Sequence, residues 1–318
     1  MIDREQKLDR RRVASLVLRA AISLSILAII LPRVSSDALV LRLSKASFVD
    51  LGVVWLLFVG MAVLAALRWR ALARWLGLPL PARLAVRAVF LGLFGGQVLP
   101  SSIGGDIARG WVVGRQTGRI GIVAASIAAD RLAGFCGASL LLGFAYAFLV
   151  PGGVPLPGLI VFAAAVVSAA ILLVFLAGCA RWLKGLRKKV AALYRPLSNW
   201  EMAEKGCAPL AFALAIALAI HATATVAAAL SAAAYGIESS LATWLGIIPV
   251  AVIAAALPVS INGWGVREGV VVALGAAYGL GSADALLVSL TLGLGNMLAS
   301  LPAVYFLLRA PLHDHGPR

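Results

Sequence analysis

The sequence has few acidic residues, few histidines and few cysteines, and it lacks long polar stretches. Its 318 residues include 13 Asp and Glu, 3 His and 3 Cys, and no two cysteines form a Cys-x-x-Cys pair. These counts predict no metal cluster, no redox centre and no bound cofactor. The longest internal polar segment, residues 181–206, is the size of a loop. A soluble catalytic domain is therefore not expected within this sequence.

Apolar residues dominate what is present. The chain is 62% hydrophobic and 13% charged, with a mean hydropathy of +0.99. Such a composition is typical of a protein that crosses the membrane many times. The net charge of +15 comes largely from arginines beside apolar runs. They indicate membrane topology and contact with anionic lipids, and we expect no nucleic acid partner.

Six apolar runs approach the ~20 residues that a membrane span requires. They lie at about 13–32, 50–67, 120–149, 157–180, 208–235 and 284–308. The first could instead be a cleavable signal peptide, but no small-x-small site follows Pro32, so we interpret it as a span. We expect an all-α polytopic membrane protein with about six to eight transmembrane helices plus two broken helical hairpins, forming one membrane domain.

Basic residues predict the orientation of these spans. The clusters expected on the cytoplasmic side contain Arg10, Arg11, Arg12, Arg68, Arg70, Arg74, Arg83, Arg87, Arg115, Arg119 and the basic residues of 181–205 and 309–318. Both termini are therefore expected in the cytoplasm. The segment 33–45 is an exception, with three basic residues on the outer side. It is interpreted as an interfacial amphipathic helix.

Two stretches of the chain are nearly copies of each other. Leu-Pro-Ser-Ser-Ile-Gly-Gly-Asp-Ile-Ala-Arg (99–109) and Leu-Pro-Val-Ser-Ile-Asn-Gly-Trp-Gly-Val-Arg (257–267) share six of eleven positions without a gap, each pair 158 residues apart. Both place helix breakers in apolar sequence, and paired interruptions of this kind indicate a transporter's binding site. We interpret the chain as an internal repeat, with copies at about 50–150 and 208–310.

The two copies are expected to have opposite orientations. Basic residues flank 84–118, which would enter and leave the membrane from the cytoplasm, whereas Glu238 and Asp284 flank 241–281, which would enter from outside. The repeat would then be inverted, with two re-entrant hairpins meeting near the midplane. The alternative is that 241–257 and 266–281 each cross the membrane completely.

Three acidic residues lie at plausible membrane depth, and each has an arginine nearby. Asp106 is followed by Arg109, Asp130 by Arg131, and Arg267 by Glu268. A charge at the centre of a bilayer costs at least about 2.5–3.5 kcal/mol, so it usually faces a cavity or a partner. The six residues are candidates for substrate binding. The alternative is that they pair with one another and only hold helices together.

The breaks also carry features of an anion site. A new helix is expected to begin at about Asp106 and at about Gly265, where free N–H groups and the helix dipole favour a phosphate. An arginine one turn further adds a charge with bidentate geometry. The other candidate substrate-binding residues at the breaks are Ser101, Ser102, Gly104, Gly105, Ser260, Asn262, Gly263 and Trp264. His221, alone in an apolar helix, is interpreted as a packing residue.

These motifs resemble a known family. Gly95-Gly96 before the first repeated segment, the step Asp130-Arg131-Leu132, and the second segment followed by Glu268 are similar to the lysylphosphatidylglycerol synthase transmembrane family, also called flippase-like domain proteins. The resemblance covers nearly the whole chain. It implies a relation to the membrane flippase half of the bacterial multiple peptide resistance factor, which moves aminoacylated phosphatidylglycerol between leaflets, and a location in the bacterial cytoplasmic (inner) membrane.

The resemblance also limits what the sequence implies. No segment matches the soluble aminoacyl-transferase domain of that factor, so the chain is not expected to make the lipid. Stand-alone family members are associated with varied lipids, including polyprenyl-linked sugars and hopanoids, so the resemblance does not identify the lipid substrate of this chain.

A lipid flippase is the function that these observations favour. The expected partners are membrane lipids, either an anionic phospholipid or a polyprenyl- or hopanoid-type lipid, and a separate lipid-modifying enzyme. We expect no enzymatic activity. The alternatives are an integral-membrane transferase that acts on a lipid-linked substrate and a non-catalytic membrane subunit of a lipid-modifying enzyme.

Overall fold

The computed structural model describes residues 21–26, 28–98, 104–148, 208–256, 260 and 262–308. Within these ranges a helical segment, Ala21–Ile30, and a 3-10 turn, Leu31–Arg33, precede ten α-helices. These are α1 (Ser36–Ser44), α2 (Phe48–Trp75), α3 (Ala82–Val98), α4 (Gly104–Thr117), α5 (Ile120–Phe148), α6 (Ala208–Ala234), α7 (Leu241–Ala256), α8 (Val266–Ala277), α9 (Ser282–Leu298) and α10 (Pro302–Leu308). No strand occurs in the described ranges, and the all-α prediction is confirmed for them.

Four helical segments are long and apolar enough to cross a membrane. They are Phe48–Trp75, Ile120–Ala147, Ala208–Ala234 and Ser282–Leu308. Each has 27 or 28 residues, or about 40 Å at 1.5 Å per residue, which exceeds a hydrocarbon core of about 30 Å. These four confirm four of the six predicted spans and the multi-pass class. The predicted span 157–180 and residues 13–20 of the first run lie outside the described residues.

Two helix pairs, α3–α4 and α7–α8, flank the predicted breaks, and residues 99–103, 257–259 and 261 lie outside the described residues. In the first, α3 ends at Val98 and α4 begins at Gly104; in the second, α7 ends at Ala256 and α8 begins at Val266. The second break needs left-handed backbone, with φ of +50° at Asn262, +79° at Gly263 and +85° at Gly265. Only glycine adopts such angles without strain, and asparagine tolerates them better than most residues.

The four helices beside the breaks are short. They have 17, 14, 16 and 12 residues for α3, α4, α7 and α8, which corresponds to about 18–26 Å. The two members of each hairpin pack against each other. Gly92 and Gly105 bring α3 and α4 into close contact, since a Cβ built on Gly92 would lie 2.9 Å from the Gly105 carbonyl oxygen. Such small residues allow helices to approach closely in membranes.

The helices on both sides of the first break have counterparts around the second. Helices α6, α7, α8 and α9 begin 159 to 162 residues after α2, α3, α4 and α5 respectively. Their packing corresponds as well: α5 packs on α6 and α7, as α9 packs on α2 and α3. The first hairpin packs against α2 through α3 and against α5 through α4. The second hairpin packs in the same way against α6 through α7 and against α9 through α8.

Each half also has its own apolar core around a fully buried tryptophan. Trp69 of α2 lies in the core formed by α2, α3, α4 and α5, and its indole N–H donates to the Ser126 hydroxyl at 3.0 Å. Trp244 of α7 lies in the core formed mainly by α6, α7, α8 and α9 and donates to Ser239 at 2.9 Å. These hydrogen bonds satisfy the polar atom of each large apolar side chain.

A short helix, α1, occupies the segment that was predicted to lie at the interface. None of its residues is buried, and Val40 and Leu41 are exposed. Arg42 donates to both carboxylate oxygens of Asp284, at 2.8 and 3.0 Å, and this hydrogen bonding raises the pKa of Arg42. The pair explains how a basic residue is accommodated beside α9 on the side predicted to be external.

Candidate functional site

A cavity of about 340 Å³ lies where the two halves meet. Its walls come from α2 to α7, from α9 and from the second break. The polar side chains that line it are Arg68, Asp106, Arg109, Asp130, Arg131, His221, Asn262 and Asn296. Apolar side chains and glycines form the rest of its wall. Four of the predicted charged residues therefore share one cavity.

The charged residues of this cavity form one network. The Asp130 carboxylate accepts from Arg68 Nε at 2.7 Å and from Arg109 Nη1 at 2.9 Å. The Asp106 carboxylate accepts from Arg109 Nε at 3.0 Å and from Arg131 Nε. Three guanidinium groups thus surround two carboxylates, and the cluster has a formal charge of +1. We call these five residues the charge cluster.

Helix geometry decides which residues pair. Asp130 and Arg131 are adjacent on α5, so their side chains point about 100° apart. Asp130 meets α2 and α4, whereas Arg131 meets Asp106 at the start of α4. Arg109 lies one turn after Asp106 and its guanidinium stacks 4.8 Å from the Trp69 ring centroid. The pairs made by Asp130 and Arg131 therefore link α5 to α2 and α4, and these two sequence neighbours do not pair with each other.

The members of the charge cluster differ in exposure. Asp130 is 3% exposed and Arg109 is buried, while the Arg131 side chain is 37% exposed. Removal of one member of a buried ion pair is strongly destabilising, because the other charge is left uncompensated. Arg131 has the most exposed side chain of the charge cluster.

Arg267 lines a second cavity of about 340 Å³ that adjoins the first. The two cavities share lining residues from α2, α3, α6, α7 and α9, including His221, Asn262 and Asn296. The arginines of the two repeated segments, Arg109 and Arg267, therefore line adjoining parts of one interior space.

Glu268 holds Arg267 in place. Its carboxylate accepts from Arg267 Nε at 3.0 Å, from the Gly265 N–H at 2.6 Å and from the Ser289 hydroxyl at 3.3 Å. The Arg267 guanidinium also stacks 4.9 Å from the Trp264 ring centroid. Glu268 is fully buried and lines neither cavity, so its contact with the cavity is through Arg267.

The ends of the two hairpins touch inside the protein. Asn262 Nδ2 of the second break donates to Gln97 Oε1 at the end of α3 at 2.9 Å. A Cβ built on Gly96 would lie 3.6 Å from Asn262 Oδ1. The hydrogen bond joins residues 165 positions apart in sequence, and it lies where the two cavities adjoin.

The remaining predicted residues have varied positions. Gly104 begins α4, Gly105 lines the first cavity, and Gly263 forms the left-handed turn. The Ser260 hydroxyl is buried and has no hydrogen-bond partner among the described residues. Ser101 and Ser102 lie outside the described residues.

Sequence reasoning missed several residues of the site. Arg68 was interpreted as a topology signal, yet it is buried and binds Asp130. Its position seven residues before the end of α2 was the available signal. His221 Nε2 donates to the Gly134 carbonyl oxygen at 2.9 Å, as a packing residue would, but His221 also lines both cavities. Gln97 and Asn296 gave no signal.

The comparison with protein families assigns the chain. Residues 16–299 match the family described as lysylphosphatidylglycerol synthase TM region. The chain belongs to this family. The predicted resemblance is therefore confirmed, and membership places the chain in a membrane protein family linked to lipid modification and flipping. No individual curated protein matches the chain.

The match to the lysylphosphatidylglycerol synthase TM region family includes the whole site. Both breaks, the charge cluster and Arg267 lie within residues 16–299. Among the described residues, no group of three His, Cys, Asp or Glu side chains could hold a metal ion. The polar side chains that line the cavity in the described residues are arginines, carboxylates, amides and the His221 imidazole.

Proposed function

We propose that this chain is a lipid flippase, which moves the headgroup of an anionic or polyprenyl-linked lipid between leaflets through the cavity. The observation that carries the proposal is the charge cluster. It places an excess of one positive charge in a cavity among membrane-spanning helices, where the ends of two hairpins meet.

The cluster suits an anion for electrostatic reasons. A buried excess charge is costly in a bilayer, and a phosphate would offset it. Guanidinium groups bind phosphate oxygens in pairs, with geometry that lysine lacks. Arg131 is the most exposed of the three cluster arginines, and Arg267 supplies a further guanidinium in the adjoining cavity.

The hairpins supply a mechanism for alternating access. Helices of about 18–26 Å are too short to cross a core of about 30 Å, which favours re-entrant hairpins over full spans. The repeated packing order supports an internal duplication. With the charge-based orientation, one hairpin enters from the cytoplasm and the other from outside, so that rocking of the two halves would open the cavity to each side in turn. The proposed location is a bacterial cytoplasmic membrane, with both termini inside.

The family description favours a separate enzyme as partner. It names the transmembrane region of a synthase, and such a region would act on a lipid that a synthase has modified. We therefore propose that this chain transports the lipid and that a separate protein performs any transfer chemistry.

A leaflet-resolved transport assay tests the function. Purified protein in liposomes is given fluorescent lipids with anionic, zwitterionic or polyprenyl-phosphate headgroups, and a membrane-impermeant quencher reports the leaflet. We expect faster movement of an anionic or polyprenyl-phosphate lipid than in protein-free liposomes. No acceleration of any lipid would contradict the proposal.

A matched pair of variants links transport to the site. Arg267→Gln should slow transport at least about tenfold, because losing one member of a desolvated charge contact costs about 2–5 kcal/mol. Arg70→Gln is the control, since among the described residues Arg70 donates to the Leu80 carbonyl at 3.2 Å and lines neither cavity. Equal rates in both variants would place the headgroup path elsewhere.

A further inference from the structure

A large apolar groove lies on the outer face of α4 and α5. Its volume is about 910 Å³, and its lining is mostly apolar. Large side chains on its margin, Ile107, Trp111 and Ile120, are each at least 60% exposed. Glycines and alanines form much of its floor, including Gly110, Gly114, Ala124 and Ala128.

The groove is continuous with the cavity that contains the charge cluster. Four residues line both spaces: Asp106, Arg131, Phe135 and Ala256. At this junction the apolar groove ends beside an ion pair whose arginine is 37% exposed in its side chain. A ligand lying across the junction would therefore meet charge at one end and an apolar surface along the rest.

We infer that this groove binds an acyl chain of an anionic phospholipid whose headgroup lies at Arg131. The inference rests on the proposed function, because it names the path by which the hydrocarbon part of that lipid stays in the membrane while the headgroup is in the protein.

The surroundings of the groove support a hydrocarbon occupant. Helix α5 is a candidate membrane span, so we expect its exposed face to contact lipid. From Ile120 to Arg131 the groove follows α5 for about 16 Å, given 1.5 Å per residue. The small residues along the groove make it deep enough for a flexible hydrocarbon chain. Each CH₂ in such a groove makes more van der Waals contacts than it would on a flat surface.

The two ends of the groove define two possible orientations of a lipid. At the end away from the cavity, the Arg115 guanidinium stacks 4.8 Å from the Trp111 ring centroid. A lipid whose headgroup stayed at the membrane surface would use Arg115. Continuity with the charge cluster favours Arg131 instead, because only that end opens into the polar cavity.

Site-specific photo-cross-linking tests the inference. Benzoylphenylalanine replaces Ala124 in the groove or, as a matched control, Ala219 on the exposed face of α6, which lines none of the three spaces. The full chain is reconstituted in liposomes of phosphatidylcholine with a minor fraction of phosphatidylglycerol. Intact-mass spectrometry then identifies the lipid in each adduct.

We expect phosphatidylglycerol to be enriched about fivefold over its bulk fraction in adducts at position 124, and to follow the bulk fraction at position 219. Arg131→Gln should abolish the enrichment, and Arg115→Gln should leave it intact. Enrichment lost only with Arg115→Gln would overturn the inference, since the headgroup would then lie at the surface. Adducts at position 124 with this chain or with a second copy would also overturn it.

The result is separable from the test of transport. Enrichment at position 124 that depends on Arg131, without lipid movement in the leaflet assay, would show a lipid site in a protein that does not flip lipids. Lipid movement with bulk composition at position 124 would support transport by another path and reject the groove.

Discussion

At the scale of single residues, the charge cluster combines a structural part and a binding part. Asp130 is nearly inaccessible and holds Arg68 and Arg109 together, whereas Arg131 faces the junction with the groove. The alternative that the charges only pair with one another and hold helices together thus fits Asp130 better than it fits Arg131. Glu268 resembles Asp130 in this respect, because it positions Arg267 from a fully buried site.

Removal of the Asp130 carboxylate should therefore affect stability. Asp130→Ala leaves Arg68 and Arg109 without their shared partner, and we expect a loss of about 3–5 kcal/mol in the free energy of unfolding. Thermal unfolding in detergent measures the change. Asp284→Ala is the control, since its partner Arg42 is partly exposed and such pairs contribute about 0–1 kcal/mol. Equal effects of the two substitutions would contradict the structural role of Asp130.

The sequence predicted the acidic residues of the site better than the basic ones. Carboxylates are rare in this chain, so Asp106, Asp130 and Glu268 stood out in apolar sequence. Arg68 belongs to a group with Arg70 and Arg74 that resembles a topology signal. Its burial depends on α2 continuing to Trp75 and on the contact with α5, which is a tertiary contact that periodicity does not encode.

At the scale of helices, the two breaks were predictable because backbone chemistry fixes them. Proline removes a donor and glycine permits left-handed turns, so the helix ends lay within a few residues of the expected positions. The interruption between α9 and α10, at residues 299–301 before Pro302, was not predicted within the run 284–308. The meeting of Gln97 and Asn262 was expected only as a general convergence of the hairpins at the midplane, and no sequence pattern named that pair.

The first hairpin depends on close packing at glycine. In Gly105→Ala the new Cβ would lie 2.5 Å from the Gly92 carbonyl oxygen, so α3 and α4 must move apart. We expect a loss of about 1–3 kcal/mol in stability, together with slower lipid transport. Thermal unfolding and the leaflet assay measure the two effects.

Gly60→Ala provides the control for this hairpin. Gly60 lies within α2, and a Cβ there meets no atom within 4 Å. Alanine at that position should be neutral or stabilising by about 0.5–1 kcal/mol, because glycine is unfavourable inside a helix. If Gly105→Ala behaved like Gly60→Ala, the tight approach of α3 and α4 would have no energetic role.

At the scale of the whole molecule, the two halves share packing but not charge. Helices α6 and α9 correspond in order to α2 and α5, yet their only charged side chain is Asp284 at the start of α9. The charge cluster is therefore confined to the first half, while the second half contributes the Arg267–Glu268 pair. This asymmetry suits a transporter whose anion site lies nearer one hairpin.

The predicted orientation is testable by cysteine labelling. In a cysteine-free background, a single cysteine in place of exposed Gln116 should react only with reagent added on the cytoplasmic side, and one in place of exposed Glu238 only with reagent added outside. A membrane-impermeant maleimide on intact cells gives the sidedness. Reaction of both positions from the same side would reject the inverted arrangement of the hairpins.

The composition predicted the class of this molecule, and the structure confirms four of its spans. The orientation across the membrane is predicted from charge alone, since packing within the protein is the same whichever side faces the cytoplasm. The cavity volume and the groove required the three-dimensional contacts of helices distant in sequence, which no local pattern specifies.

The central claim is that the two breaks meet in a lipid-binding cavity away from both surfaces. The most direct test is the rate at which Asn262→Cys reacts with an impermeant maleimide added from each side. The protein is reconstituted in liposomes with and without anionic lipid, and Gln116→Cys is the fast control. We predict slow reaction that anionic lipid slows further, because Asn262 lines both cavities. Fast reaction from the cytoplasmic side, unaffected by lipid, would show that the second break is a surface loop between two full spans and would contradict the account.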